Sequence, residues 1–114
     1  MKKILSILSS TFILSLFMLS SVNAQVEDVH LQEAIRQTEA VVLAVDVKTM
    51  TQLAQEAERY AVEVKSTHPE DKHLQEEGLK HLNDVIKESR AGEAAAARKA
   101  AIVALSKFNQ IESK

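Results

Sequence analysis

The chain has 114 residues, of which 26% are charged, and it contains two Gly, one Pro and no Cys or Trp. The lack of Cys excludes a disulfide framework, a zinc site with thiolate ligands, an iron–sulfur cluster and covalently attached c-type haem. The scarcity of Gly and Pro argues against a turn-rich β-sandwich. A net charge of −2 provides no overall basic field for nucleic acid.

Residues 1–24 have the three-part pattern of a secretory signal peptide. Two lysines follow Met1, residues 4–19 are apolar apart from Ser and Thr, and Val22-Asn23-Ala24 suits cleavage after Ala24. The alternative, a retained membrane anchor, is disfavoured because the apolar run is short for a stable span. No Cys follows it, so a lipid-anchored form is excluded. We therefore expect export to the periplasm and no membrane contact after cleavage.

The expected mature chain, residues 25–114, has the size of a single domain. It contains twelve basic and sixteen acidic residues, a net charge of −4. Its only aromatic residues are Tyr60 and Phe108, whereas fourteen residues are Ala. Small side chains let helices approach closely but each buries little area, so we expect a thin core and modest stability.

Four segments of the mature chain place apolar or small residues at alternating spacings of three and four, which indicates four helices that each bury one seam. The seams are Leu31, Ala34, Thr38, Val41 and Val45; Met50, Leu53, Ala57, Tyr60 and Val64; Leu74, Gly78, Leu82, Val85 and Ser89, with Leu79 and Ile86 beside them; and Ala94, Ala97, Ala101, Ala104, Phe108 and Ile111. Alternation with period two is absent, so strands are disfavoured.

The breaks between these helices fall at residues 46–49, at 66–72 and at Gly92, where a C′ glycine ends the third helix. The first break has no Gly or Pro, so its local signals are weak. We expect capping boxes to begin the helices that follow the first two breaks, with Pro in a first turn. The boxes are Thr49 with Gln52, and Thr67 with Glu70 around Pro69.

The tetrapeptide His-Leu-Gln-Glu occurs at 30–33 and again at 73–76. With one residue inserted, the alignment continues through Val41 with Val85 and places Lys48 on Gly92. Chance similarity between two amphipathic helices is the alternative to duplication. We favour two repeated helical hairpins, at about 27–65 and 70–112, that form an all-α, up-down four-helix bundle.

No catalytic signature is present: the chain has no G-x-S-x-G, G-x-G-x-x-G, P-loop or H-E-x-x-H motif, so we expect no enzyme. His73, Glu77 and His81 are spaced four residues apart and project from one helix face, and His68 lies in the preceding loop. Imidazole and carboxylate together suit Zn²⁺, Ni²⁺ or Cu²⁺. The simpler interpretation is that these are polar surface residues.

Three stretches of the chain resemble the small metal-binding protein family: VHLQEAIRQTEAVV at 29–42, TQLAQEAERYAVEVKS at 51–66 and GLKHLNDVIKESRAGEAAAARKA at 78–100. The third is the most specific. The resemblance implies a short, exported, Cys-free protein made of a duplicated helical hairpin rich in His. It also implies binding of several divalent metals, with copper prominent, in the periplasm.

On the family pattern, His recurs every seven residues on the flank of each helix beside the seam. The twelve corresponding positions, which we call the ladder, hold His at three, Glu at four and other residues at five. They are His30, Gln37, Ala44, Thr49, Glu56, Glu63, His73, His81, Glu88, Glu93, Ala100 and Lys107. This depletion implies fewer or weaker sites, a shift towards metals that prefer carboxylates, or complete loss of binding.

The leading hypothesis is therefore a periplasmic protein that buffers or sequesters Cu, Ni or Zn. Its candidate ligands are His30, His73 and His81, with Glu77 assisting and His68 peripheral. The rival is a periplasmic scaffold or interaction module that has kept the fold and lost the metal. Non-covalent haem is disfavoured, because Met50 is the only Met of the mature chain and the histidines lie on flanks.

Overall fold

Helices form at all four segments that show the three-and-four spacing. The computed structural model describes residues 28–65 and 68–112, so the expected signal peptide at 1–24 lies outside the described residues. Within the described part there are four helices and no strand. They are α1 (Val29–Leu43), α2 (Val47–Val62), α3 (Pro69–Arg90) and α4 (Ala94–Glu112). Each packs on two neighbours in the cyclic order α1, α2, α3, α4, which confirms the all-α four-helix bundle.

The core is built largely from small side chains, as the composition predicts. Seven of its sixteen buried apolar residues are Ala, and Phe108 is its one aromatic residue within the described ranges. The predicted seams are buried or half-buried except at Val45, which is 86% exposed. That prediction was wrong because α1 ends at Leu43, which leaves Val45 in the link to α2. Burial of Ala54 and Ala61 on α2 was not predicted.

Helices α3 and α4 approach most closely where Gly78 meets the fully buried ring of Phe108. A Cβ atom added to Gly78 would lie 2.6 Å from Cζ of that ring and would overlap two further ring carbons. The largest side chain of the core therefore occupies the space that a missing Cβ leaves on the facing helix. Gly78 is required here for close approach and not for backbone conformation.

Hydroxyl groups link α2 to α3 inside the bundle. Thr51 Oγ1 and Ser89 Oγ lie 2.6 Å apart, and each also contacts a backbone oxygen of its own helix, Val47 O at 3.0 Å and Ile86 O at 3.2 Å. The two hydroxyls have only two hydrogens for these three contacts. One hydroxyl donates to the other, so only one of the two backbone oxygens can accept a hydrogen bond at a time. The short bond between the hydroxyls fixes the register of α2 on α3.

The link between α1 and α2 comprises residues 44–46, which is shorter and earlier than the predicted break at 46–49. Lys48 is the second residue of α2, not a turn residue. The N-cap is Asp46, whose carboxylate accepts hydrogen bonds from Thr49 N at 3.0 Å and Thr49 Oγ1 at 2.8 Å. Thr49 is thus the donor and not the predicted cap. The anionic side chain is the better acceptor for the first turn of a helix.

The start and the end of α3 agree more closely with the predictions made from the sequence. Helix α3 begins at Pro69 as expected, with His68 at the N-cap position making no capping bond through its side chain. Thr67 lies outside the described residues, so its capping box stays a prediction. Gly92 has φ +81° and follows α3, and the bonds Glu93 N→Glu88 O and Gly92 N→Ser89 O confirm a Schellman termination.

Helices α1 and α2 end without glycine, and side chains of neighbouring helices bind their last carbonyls instead. Arg98 on α4 donates from Nε to Val42 O at 3.1 Å and from Nη2 to Ala44 O at 3.0 Å. Gln75 on α3 donates from Nε2 to Ala61 O at 2.7 Å and to Val64 O at 3.3 Å. These bonds satisfy acceptors that a helix end leaves unpaired.

Among the described residues, no helix is both long enough and apolar enough to cross a membrane.

Replacing Gly78 by Ala should destabilise the bundle. Overpacking against Phe108 costs about 1–3 kcal/mol, which exceeds the gain of about 1 kcal/mol in helix propensity. Urea unfolding followed by circular dichroism measures the difference. In a Phe108→Leu background the ring is absent, so the same Gly78→Ala change should cost less or become stabilising. An equal cost in both backgrounds would contradict the role of this contact.

Candidate metal centre

His30 lies in the first turn of α1, beside the carboxylate that caps the helix. Asp28 Oδ1 accepts a hydrogen bond from His30 N at 2.9 Å, and His30 Nδ1 lies 3.6 Å from the same oxygen. Asp28 Oδ2 accepts a hydrogen bond from Lys65 N at 2.8 Å. One carboxylate therefore begins α1, holds the segment that follows α2 and faces an imidazole.

His73 and Glu77 form a second pair, one turn apart on α3. His73 Nε2 lies 3.8 Å from Glu77 Oε2, and the side chains are 70% and 31% exposed. The separation of four residues aligns the two groups along the helix, as the sequence predicts. The His73 side chain is therefore largely open to solvent, and Glu77 is half-buried beside it.

His81 is the least exposed of the three paired histidines, at 25%, and its nearest acidic partner is Asp84. His81 Nδ1 lies 3.6 Å from Asp84 Oδ2. Glu77, four residues before His81, was the expected companion of both histidines on this face, but its ion pair is with His73. The face therefore contains two separate pairs and not one cluster of three.

The predicted ligands are not gathered at a single point. Nowhere in residues 28–65 and 68–112 do three or more His, Asp or Glu side chains come together in a group that could hold a metal ion. His68 is exposed and makes no ion pair with a described residue. The structure thus offers three two-membered His–carboxylate pairs, each on its own part of the surface.

The N···O distances of the pairs, 3.6–3.8 Å, are too long for a hydrogen bond. They are close to the distance that a chelated ion requires. Two ligand atoms about 2.1 Å from one ion, at about 90–109° to each other, are about 3.0–3.4 Å apart. A small adjustment of one side chain would bring the nitrogen and oxygen of each pair into this range of distances.

Two carboxyl groups elsewhere have displaced pKa values. Hydrogen bonds from the backbone and hydroxyl of Thr49 lower the pKa of Asp46, and partial burial raises the pKa of Glu58. A lowered pKa means that the Asp46 carboxylate supports the fold above its ordinary pKa and loses that effect in acid. The raised pKa of Glu58 means that its charge opposes folding once ionised. Neither group is a predicted ligand.

The profile of the family described as "Small metal-binding protein" matches residues 2–111. The chain belongs to the small metal-binding protein family. The match covers all four helices except the last residue of α4, and it also covers most of the predicted signal segment. No curated protein and no solved structure shows significant similarity to the chain.

Membership in the small metal-binding protein family confirms the expected resemblance, and this family is not a known enzyme family. The structure also shows where the ladder lies. None of its twelve positions is buried: eight are half-buried, and four near helix ends are exposed. Flank positions can thus carry ligands without disturbing the core, as the heptad placement predicts.

The carboxylate partners were the part of the site that sequence reasoning located least well. The sequence-based candidate ligands include neither Asp28 nor Asp84, which are the partners of His30 and His81. Asp is a preferred N-cap, and the apolar seam of α1 begins three residues after Asp28, so the local sequence does contain a signal for it. Its bond to Lys65 N, across 37 residues, has no such signal.

Substitutions at Asp28 should separate the contributions to stability of its two hydrogen bonds, from His30 N and from Lys65 N. Asp28→Ser keeps an N-cap acceptor but removes the bond to Lys65 N, so stability should fall by about 0.5–1.5 kcal/mol. Asp28→Ala also removes the cap and should cost about 1 kcal/mol more. Urea unfolding of both variants measures this order. If Asp28→Ser is as stable as the native protein, the Lys65 bond contributes nothing.

Proposed function

We propose that the chain binds divalent transition metal ions, Cu²⁺, Ni²⁺ or Zn²⁺, and buffers or sequesters them in the periplasm. Family membership supports metal binding in general. The observation that carries the proposal is that His30, His73 and His81 each lie 3.6–3.8 Å from a carboxylate oxygen, close to the separation that one ion imposes. Imidazole with carboxylate is a ligand set that these metals accept.

The pairs differ in how freely they can bind an ion. Glu77 lies on an open helix face with His73, so both can reorient at small cost. Asp28 is held by two backbone hydrogen bonds at 2.8–2.9 Å, which restrict its carboxylate. Of the three, the His73–Glu77 pair is therefore the proposed primary site, the His81–Asp84 pair the second, and His30 a weaker contributor.

Two protein ligands for each ion imply weaker binding than the three or four ligands of a dedicated structural site. Such a protein exchanges its metal readily, which suits buffering better than permanent storage. Binding should also weaken in acid, because protons compete with the metal for the imidazole nitrogen and only the neutral ring binds a metal.

Isothermal titration of the purified protein with Cu²⁺, Ni²⁺ and Zn²⁺ at neutral pH tests this proposal. The His73→Ala/His81→Ala variant should lose most of the saturable binding, because each substitution removes the nitrogen of one pair. His68→Ala is the matched control: it removes an exposed histidine of the same helix region that has no paired carboxylate, and binding should be unchanged. Absence of saturable binding, or equal binding by both variants, would refute these sites.

The rival function is a helical interaction module that no longer binds metal. It is favoured by the absence of any group of three ligands within the described residues. A metal that binds only the folded chain raises the unfolding temperature as its concentration increases. The rival therefore predicts an unfolding temperature that is independent of added metal, and the proposed function predicts an increase that the double variant loses.

Export is a separate part of the proposal, supported by the signal-peptide pattern at 1–24. Expression of the complete sequence in a Gram-negative host should give a periplasmic protein whose intact mass corresponds to residues 25–114. Replacing the two lysines of the n-region by Glu should reduce export and leave the uncleaved chain in the cell pellet. A cytosolic, uncleaved native chain would contradict this part.

A further inference from the structure

Helix α4 carries basic residues but almost no metal ligands. It contains no His, and its one acidic residue is Glu112, in the last position. Its three basic residues differ in their surroundings. Arg98 binds carbonyl oxygens at the end of α1, and Lys99 is exposed. Lys107 is half-buried and forms no ion pair or hydrogen bond with the residues that the structure describes.

The contacts of α4 with its two neighbours locate Lys107 beside α3. The ring of Phe108 meets Gly78, so these two residues lie at the same level of the antiparallel helices α3 and α4. Arg98, which reaches α1, is about 80° around α4 from Phe108 in one direction. Lys107 is about 100° from Phe108 in the other direction. It therefore lies on the flank of α4 that borders α3.

The same geometry places two candidate ligands of α3 opposite Lys107. Gln75, which reaches α2, is about 60° around α3 from Gly78 in one direction. Glu77 and His81 are about 100° and 60° from Gly78 in the other direction, towards α4. Because the two helices are antiparallel, Lys107 is level with the midpoint between Glu77 and His81, about 3 Å along the axis from each.

We propose that Lys107 limits the affinity of the two His–carboxylate pairs of α3, because its ammonium group repels a cation bound at either pair. The axes of packed helices are about 8–10 Å apart. A charge on this flank of α4 is therefore about one Debye length from an ion on α3 at physiological salt, where repulsion is reduced but not abolished. The partial burial of Lys107 restricts how far its charge can move away into water.

Repulsion by Lys107 depends on the charge of the bound ion and not on its chemistry. Coulomb energy is proportional to that charge, so a divalent ion is disfavoured twice as strongly as a monovalent ion. Lys80, three residues after Glu77, is also basic, but it is exposed and can extend into water. A site that holds its ion weakly releases it readily, as buffering requires. This inference therefore rests on the proposed function and adds a residue that sets its affinity.

Isothermal titration with Zn²⁺ at low ionic strength tests this inference. Lys107→Gln removes the charge and should tighten binding about three- to fivefold, as expected for a unit charge about 8 Å from a divalent ion in water. At 0.15 M salt the gain should fall to about twofold. Lys107→Arg keeps the charge and should bind as the native chain does. Lys99→Gln is the matched control: it removes a charge from the outward side of α4 and should change affinity less than about twofold.

Titration with Ag⁺ in chloride-free buffer separates a charge effect from a packing effect. Lys107→Gln should raise Ag⁺ affinity only about twofold, because the repulsion is half as large for a monovalent ion. Equal gains for Ag⁺ and Zn²⁺, or Zn²⁺ binding by Lys107→Gln that equals native binding, would overturn this inference and leave the proposed metal function intact. If neither the native chain nor Lys107→Gln binds Zn²⁺, the proposed function fails as well.

Discussion

Close approach of helices with small side chains is the constraint on which the bundle depends. Seven of sixteen buried apolar residues are Ala, and the large ring of Phe108 fits only because the facing position on α3 is Gly78. Alanine favours the helix and permits short inter-axial distances, but it contributes little buried area. Stability must therefore be supplemented by specific polar contacts between helices.

Those polar contacts are found where helices end and where they cross. Arg98 binds the carbonyls at the end of α1, Gln75 binds those near the end of α2, and Asp28 connects the start of α1 to Lys65. The bond between Thr51 and Ser89 fixes α2 on α3. Each of these side chains joins elements distant in sequence, so the contacts reinforce the same arrangement that the seams specify.

A thin core leaves much of each helix at or near the surface, and the proposed metal ligands lie there. The ladder positions are half-buried or exposed, so the buried seam does not depend on which residue occupies them. Metal binding can thus weaken or change selectivity while the fold persists.

The sequence by itself determined the four helices, most of the buried seam and the α3 stop at Gly92, because helical periodicity and glycine conformation are local properties. It also located the histidines on helix flanks and indicated the family. The tertiary structure decided what is not local: the link at 44–46, where Asp46 caps α2 and Arg98 completes α1 across more than fifty residues, and the exposure of Val45. It also decided that Glu77 pairs with His73 while His81 pairs with Asp84. Residue spacing defines which side chains share a helix face, but rotamers and neighbouring helices determine which of them meet.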